Sequence, residues 1–358
     1  MKSWTKPTPE QVDRVIGKLG RPGAHRYFFA KLQNPEWVEA LRAKGFFASP
    51  PPVSRDDEKG VMRIPDWPEA DYLARVAAEV PELAADIVLK MPETTNDRVH
   101  QSLTTLALNL PPQLAARLLD KIVTWMPSSR LMTLSMRLPH LVSHLAEGGQ
   151  SAEALRLARE LFAFEEASEG HRGASSFDRP LRAASPKAGM DLWEYNEALK
   201  ICMPALARAR PLPAIYLLAD LLESALRGSD LVRSGEREVD VSGARTSDLE
   251  APDEAHPNSF EGLIARTLSR AAIAVIREGG ASADKVVFAL KKRNWLLYRA
   301  ITLHVLAEVA PLGVAEAKAQ ILDRTLFEGG ECKDQYARLV RLRFPSSSPM
   351  SERPSSNG

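Results

Sequence analysis

The chain has 358 residues, of which 44% are hydrophobic and 26% are charged, and its formal net charge at pH 7 is +1. This composition is close to the globular average, so it predicts a packed core and excludes a wholly disordered chain. The nearly neutral balance gives no global electrostatic reason for binding nucleic acid or an anionic membrane, although a local basic face stays open.

The cysteine usage and the apolar segments predict a soluble cytoplasmic protein. Cys202 and Cys332 lie far apart and outside any C-x-x-C motif, which excludes a disulfide scaffold and is typical of a reducing compartment. The N-terminal sequence has no apolar segment typical of a secretory signal. The most apolar windows, residues 212–226 and 263–276, are interrupted by charges and fall short of the ~20 apolar residues that cross a membrane.

Residues 1–66 are predicted to form a helical cap followed by a proline-rich loop. Thr8 and Gln11 have the spacing of a capping box at a helix start, and Gly45 is a plausible end for a later helix. Residues 48–66 contain three consecutive prolines and a run of charges, which exclude a helix there.

Aromatic residues are concentrated in this N-terminal region. The favoured interpretation is that they seal the exposed end of a helical stack, as terminal units must. The alternative is a patch that binds a protein partner. The residues concerned are Phe28, Phe29, Trp37, Phe46 and Phe47.

Residues 67–166 are predicted to form the first half of a helical array. The segment PELAADIVLK, which starts at Pro81, lines up with PQLAARLLDK, which starts 31 positions later at Pro112. A period of this length is typical of stacked helical repeats. Pro139 is expected to kink its helix or to split it in two.

A second repeated segment of the sequence lies in the predicted turns between helices. Glu147-Gly148-Gly149 recurs as Glu278-Gly279-Gly280 and, more loosely, as Glu328-Gly329-Gly330. A glycine in the left-handed conformation is expected to end one helix, and Ser151 or Ser282 to cap the next.

Two polar interruptions divide the predicted array. Residues 167–190 form a predicted loop, and residues 228–258 form a polar insertion in the second half of the array, residues 191–344. Interruptions of this length are usually functional or disordered. One helix is predicted over residues 312–327, and residues 345–358 have the composition of a disordered tail.

The sequence contains no recognisable catalytic motif, whether phosphate-binding loop, dinucleotide fingerprint, metalloprotease helix or nucleophile elbow. His140 and His144 could share one helix face and bind zinc, but the metalloprotease glutamate is missing and a third ligand would have to come from elsewhere. Ordinary helix histidines are therefore expected, with no enzyme activity, no metal and no cofactor. Buried side chains are expected at Trp125, Trp193, Tyr195 and Cys202.

Basic residues near aromatic ones form a second candidate site. They mark a nucleic-acid surface only if they converge on one face, whereas lysine and arginine near a helix C-terminus already interact favourably with its dipole. Solvated helix ends are the favoured interpretation, and nucleic-acid contact is the alternative. The residues concerned are Lys291, Lys292, Arg293, Arg338, Arg341 and Arg343.

The proline-started helix pairs and the Glu-Gly-Gly turns of residues 68–343 resemble the irregular α-solenoids of the HEAT and TPR type, although no TPR consensus occurs. The predicted fold is therefore all-α, a right-handed stack of antiparallel helix pairs with two long polar loops. The segment HRYFFAKLQNPEWVEALRAKGFF, which begins at His25, resembles the start of large bacterial multidomain proteins of unassigned function. That resemblance implies kinship with proteins of which some carry ATPase or nuclease modules and belong to anti-phage systems.

The repeat pattern without a catalytic motif favours a non-enzymatic scaffold that binds a protein partner, as part of a larger bacterial assembly. The alternative hypothesis is a HEAT-like module that binds nucleic acid through the basic helix ends near Lys291 and Arg341. The sequence predicts no oligomeric state.

Overall fold

A computed structural model describes residues 5–56, 61–126, 132–165, 186–229, 232–233, 239–240, 242–250, 252, 256–329 and 332–343. Helices make up 71% of these residues, in 19 segments, and strands are almost absent. The all-α part of the prediction is therefore confirmed. The predicted tail, residues 345–358, and most of the predicted loop 167–190 lie outside the described residues.

The chain forms two compact units, the first ending within a long helix at Leu217 and the second beginning at Leu218. In this division residues 191–217 belong with the first unit. The helices of the first unit that precede this shared helix are α1 (Pro9–Ile16), α2 (Pro22–Lys31), α3 (Trp37–Ala43), α4 (Pro68–Val76), α5 (Pro81–Lys90), α6 (Asp97–Asn109), α7 (Pro112–Arg117), α8 (Leu119–Trp125), α9 (Met132–Glu147), α10 (Ser151–Leu161) and α11 (Leu192–Ala209).

The shared helix α12 (Pro211–Gly228) passes from the first unit into the second. The remaining helices are α13 (Phe260–Arg277), α14 (Ala283–Lys291), α15 (Leu296–Glu308), α16 (Val314–Ile321), α17 (Arg324–Gly329), α18 (Lys333–Arg343) and a 3-10 helix (Ser242–Glu250). Two short antiparallel pairs join β1 (Ser54–Asp56) to β2 (Val61–Arg63) and β3 (Val232–Arg233) to β4 (Val239–Asp240).

The helices of the first unit pack in two rows. In the main row α2 packs on α4, α4 on α6, α6 on α9 and α9 on α11. The helices between them form a second row, in which α5 packs on α7 and α8 on α10. Ion pairs tie this second row together: Arg42 with Asp86, Glu82 with Arg117, and Asp120 with Arg156.

Proline and glycine set the helix boundaries, largely as predicted. Proline occupies the first turn of α1, α2, α4, α5 and α7, where a missing N–H costs nothing. The capping box of Thr8 and Gln11 is present. Gly45, Gly149 and Gly279 adopt the left-handed conformation that ends a helix.

Several local expectations are wrong. Pro139 does not split its helix in two, since α9 continues through it. The second copy of the repeated segment, which starts at Pro112, divides at Leu118 into α7 and α8. The Leu118 N–H donates to the Ala115 carbonyl at 3.0 Å, which tightens the turn at this point. Residues 312–327 hold two helices, α16 and α17. Trp193 is 54% exposed, whereas Trp125, Tyr195 and Cys202 are buried as predicted.

The predicted serine caps also differ from the structure. Ser151 is the first residue of α10, after Gln150 as the cap. Ser282 is the cap residue of α14, but its side chain makes no capping hydrogen bond and bonds Asp284 instead. Gly330, in the third predicted turn, lies outside the described residues.

The second unit is arranged around α15. Ten of the 13 residues of this helix are buried, and it contacts α13, α14, α16, α18 and the 3-10 helix. A helix that is apolar on all sides is stable only when other elements surround it.

The polar insertion 228–258 contributes to this packing and is not merely a loop. The Asp240 carboxylate accepts a hydrogen bond from the Leu296 N–H at 2.6 Å, and the Ser242 hydroxyl oxygen accepts one from the Leu297 N–H at 3.1 Å. These are the first N–H groups of α15, which have no partner within their own helix. The insertion therefore caps the central helix of the unit.

Replacing Ser242 with alanine is expected to lower the free energy of unfolding of the second unit by about 1–2 kcal/mol, because it leaves a buried N–H group of α15 without an acceptor. Ser269→Ala is a matched control. Ser269 is equally buried, but its hydroxyl has no hydrogen-bond partner among the described residues. Urea unfolding followed by circular dichroism should show a loss for the first variant and none for the second; equal losses would contradict the capping role.

Gly148 marks a close approach between α9 and α7. A Cβ atom there would lie 2.1 Å from the ring of Pro112, which cannot turn aside. We expect Gly148→Ala to cost about 1–3 kcal/mol of stability in the first unit. Gly23→Ala is the control, because a Cβ at Gly23 meets nothing within 4 Å, and its melting temperature should not fall. An unchanged melting temperature for Gly148→Ala would contradict the close packing.

Candidate functional site

The predicted aromatic patch forms an interlocking cluster at the N-terminal end of the first unit. The ring of Phe28 lies 5.1 Å from Phe29 and 5.6 Å from Trp37, between ring centroids, and Phe29 lies 5.6 Å from Phe46. Phe29 also contacts Tyr72 of α4 at 6.1 Å. The cluster therefore covers the outer face of α4.

Little of this patch faces solvent. Phe29 and Phe47 are buried, while Phe28, Trp37 and Phe46 are half-buried. Aromatic rings packed edge to face in this way stabilise the contacts of α2 and α3 with α4. The geometry favours the sealing interpretation over a partner-binding patch.

Half of the predicted basic site is engaged within the protein. The Arg293 side chain is only 8% exposed and pairs with Asp220 and, at 3.4 Å, with Glu223. Arg338 pairs with Glu250 at 2.6 Å and with Glu308 at 2.5 Å.

Arg343 donates hydrogen bonds to the carbonyls of Leu306 and Leu312. The other three basic residues, Lys291, Lys292 and Arg341, are exposed. Lys291 lines a small cavity of about 160 Å³, which Arg293 and Asp323 also line. The six residues therefore do not act as one free basic surface.

His140 and His144 have different environments. His140 is exposed, whereas the Nε2 atom of His144 lies 2.9 Å from the carbonyl oxygen of Leu110, at the end of α6. No group of three or more potential metal ligands occurs among the described residues. His144 therefore supplies a hydrogen-bond partner for a backbone carbonyl at the C-terminal end of α6.

Three groups of buried ionisable residues lie away from the cavities. His25 bonds Glu69 at 2.9 Å, and burial raises the pKa of the Glu69 carboxyl. His100 stacks on Trp125 with ring centroids 4.8 Å apart. Burial also lowers the pKa of His304, which lies near Glu308, Arg338 and Glu250.

Sequence reasoning missed a cavity that has a volume of about 400 Å³ and opens on the main row of the first unit. We call it the α4–α6–α9 groove, after the helices that supply most of its lining. The lining residues are Asp66, Trp67, Asp71, Ala74, Arg75, Arg98, Gln101, Ser102, Thr105, Asn109 and Arg137.

Hydrogen bonds between neighbouring helices hold the groove side chains in place. Ser102 donates to the Asp71 carboxylate at 2.5 Å, and Asn109 donates to the Ala74 carbonyl at 2.8 Å. Arg137 of α9 donates to the Thr105 hydroxyl of α6. The lining is therefore ordered before any ligand arrives.

The groove is electrostatically polarised along the helices. Asp66 and Asp71 lie near its N-terminal end, where Arg98 pairs with Asp66 at 2.6 Å. Arg75 lies in the last turn of α4, and Arg137 of α9 lies beside Thr105 in the C-terminal half of α6. Among the described residues these two guanidinium groups donate only to uncharged oxygens: Arg75 to the carbonyls of Phe29 and Leu32, and Arg137 to Thr105.

One signal in the sequence could have pointed to the groove. The residues of the hydrogen-bonded pairs Asp71–Ser102 and Thr105–Arg137 are 31 and 32 positions apart. This spacing is close to the 31 positions between the repeated segments that start at Pro81 and Pro112. Polar residues that recur at this spacing are candidates for a shared surface.

No protein-family model, curated protein or solved structure matches the chain. In the part of the chain that the structure describes, no helix has the length and apolar character needed to cross a membrane.

The buried histidines make stability depend on pH in a defined direction. Burial lowers the pKa of His100, against a smaller opposing effect of its hydrogen bond to the Thr94 carbonyl. As the pH falls through about 6.5, the unfolded chain takes up a proton that the folded chain does not. His100 therefore favours folding above about pH 6.5, and that contribution declines below it.

We expect the urea midpoint of the first unit to fall between about pH 7.5 and 5.5, and to fall less in His100→Gln. His304→Gln serves as the comparison. Burial lowers the pKa of His304, which lies in the second unit, so this substitution should reduce the pH dependence of the second unit and not that of the first. An identical pH dependence in His100→Gln and the unchanged chain would contradict this account.

Proposed function

We propose that the chain is a non-enzymatic interaction scaffold whose first unit is an α-solenoid that binds a protein partner. The observation that carries this proposal is the repeated linkage of its helix rows. In the main row α2 contacts α4, α4 contacts α6 and α9 contacts α11, each the next helix but one along the chain, while α6 contacts α9; in the second row α5 contacts α7 and α8 contacts α10.

The polar contacts follow the same spacing. Residues 28 to 36 positions apart are joined between successive helix pairs, and examples are Asp66–Arg98, Ala74–Asn109, Lys121–Glu93, Leu110–His144 and Asp120–Arg156. A stack of helix pairs places equivalent residues side by side at one repeat length. This regularity favours stacking over collapse around one central helix.

The open groove supports a binding role. Because successive main-row helices lie side by side, their solvent-facing residues form one continuous surface, and the groove is the part of it that is concave. Repeat arrays use such extended surfaces for binding. The nucleic-acid alternative has less support because Arg293, Arg338 and Arg343 already have partners within the protein.

An affinity-tagged chain, shown to be folded by circular dichroism, should recover a protein in stoichiometric amount from a lysate of its native host. The eluate is treated with nuclease and washed at several salt concentrations, because nucleic-acid binding weakens steeply with salt. Failure of the folded chain to recover any stoichiometric protein would contradict the proposal. Recovery of nucleic acid that is lost on charge reversal at Lys291, Lys292 and Arg341 would favour the alternative.

A further inference from the structure

The α4–α6–α9 groove has two chemically different ends, and this difference limits what it can bind. At the end near Arg75 and Arg137, none of the lining residues that the structure describes is a carboxylate. At the other end Asp66 is paired with Arg98 and lies 3.5 Å from Arg26, while Asp71 accepts a hydrogen bond from Ser102. Positive charge is therefore compensated at one end of the groove and uncompensated at the other.

The uncompensated end is suited to a carboxylate. A guanidinium group has five N–H donors in a planar fork that matches the two oxygens of a carboxylate. Arg137 uses one nitrogen for the Thr105 hydroxyl, so its other donors are available. Arg75 is anchored on the carbonyls at the end of α2 through one nitrogen, which fixes its position beside the groove.

The middle of the groove is suited to a peptide backbone. Gln101 and Asn109 each carry an amide that can donate and accept hydrogen bonds, and Thr105 carries a hydroxyl. Asn109 commits one N–H to the Ala74 carbonyl, which leaves its amide oxygen for a peptide N–H. These groups match the alternating donors and acceptors of an extended chain.

The size of the groove agrees with a short segment. Gln101 and Asn109 lie eight residues apart on α6, which at about 1.5 Å per residue is roughly 12 Å along the helix axis. An extended chain rises about 3.3 Å per residue, so about four residues would pair with these side chains.

The same surface is poorly suited to nucleic acid. Among the described residues of its lining the only aromatic one is Trp67, which is buried and offers no face on which a base could stack. Asp66 and Asp71 would face a continuous phosphate backbone with negative charge. A peptide can keep its acidic side chain away from them.

We propose that the groove binds an extended segment of a protein partner, with an aspartate or glutamate side chain held at Arg137. The segment's main chain pairs with Gln101, Thr105 and Asn109, and its uncharged part lies towards Asp71. This assignment rests on the proposed scaffold function and adds the site and the chemical class of the segment.

The direct test measures fluorescence anisotropy of a labelled peptide of about nine residues, in which one central glutamate is flanked by alanine and serine. The same peptide with glutamine in place of glutamate, and a single-stranded oligonucleotide, are the comparison ligands. We expect the glutamate peptide to bind about tenfold more tightly than the glutamine peptide, because a charge-assisted bond is lost in the latter.

Three variants locate the site. Arg137→Ala should weaken binding of the glutamate peptide about tenfold, whereas Asp71→Asn should strengthen it by removing a repelling charge. Arg117→Ala is the matched control, since this exposed arginine pairs with Glu82 of α5 and does not line the groove. It should leave the affinity unchanged. Circular dichroism of each variant confirms that it is folded.

Equal affinity for the glutamate and glutamine peptides, no binding at about 1 mM peptide, or equal effects of Arg137→Ala and Arg117→Ala would each overturn the assignment. Tighter binding of the oligonucleotide that also depends on Arg137 would replace the peptide with nucleic acid. Recovery of a native partner that is unaffected by Arg137→Ala and by excess glutamate peptide would overturn the groove assignment but leave the scaffold function standing. Groove-dependent peptide binding without a recoverable partner would contradict the scaffold function instead.

Discussion

The ends of short helices are the constraint on which this structure depends. Many of its helices have fewer than 14 residues, so a large share of their backbone groups lie in first and last turns and have no partner within the helix. Side chains of neighbouring helices supply the missing partners. Lys121 donates to the Met91 carbonyl at the end of α5, Tyr195 to Phe162 at the end of α10, and Arg277 to Glu308 at the end of α15.

This cross-helix capping connects local structure to packing in both units. A side chain that reaches the end of the preceding helix fixes the distance and register between the two helices, in addition to any apolar contact. His144 does this for α6, and Arg75 does it for α2. In the second unit the direction is reversed, since Asp240 and Ser242 of the insertion cap the start of α15. The need for hydrogen-bond partners at helix ends thus accounts for contacts between neighbouring helices in the first unit and for the contact of the insertion with α15 in the second.

The sequence predicted where helices begin and end better than how they pack. Proline and glycine act through local backbone geometry, so Pro81, Pro112 and Gly149 could be interpreted without any tertiary contact. The burial of Arg293 could not, because its partners Asp220 and Glu223 lie about 70 residues earlier in the chain. The exposure of Trp193 and the unbroken helix through Pro139 also depend on neighbours that a local pattern does not contain.

The groove was missed for a related reason. Most of its residues are individually ordinary polar positions on three helices, and none belongs to a motif; they come together because α4 packs on α6 and α6 on α9. Arg98 of α6 is paired with Asp66, which lies 32 positions earlier in the chain. Arg137 lies at the same spacing from Thr105, an uncharged residue. A guanidinium group whose described partners are uncharged keeps its electrostatic attraction for an external anion, and for that reason Arg137 is more informative about binding than the paired charges around it.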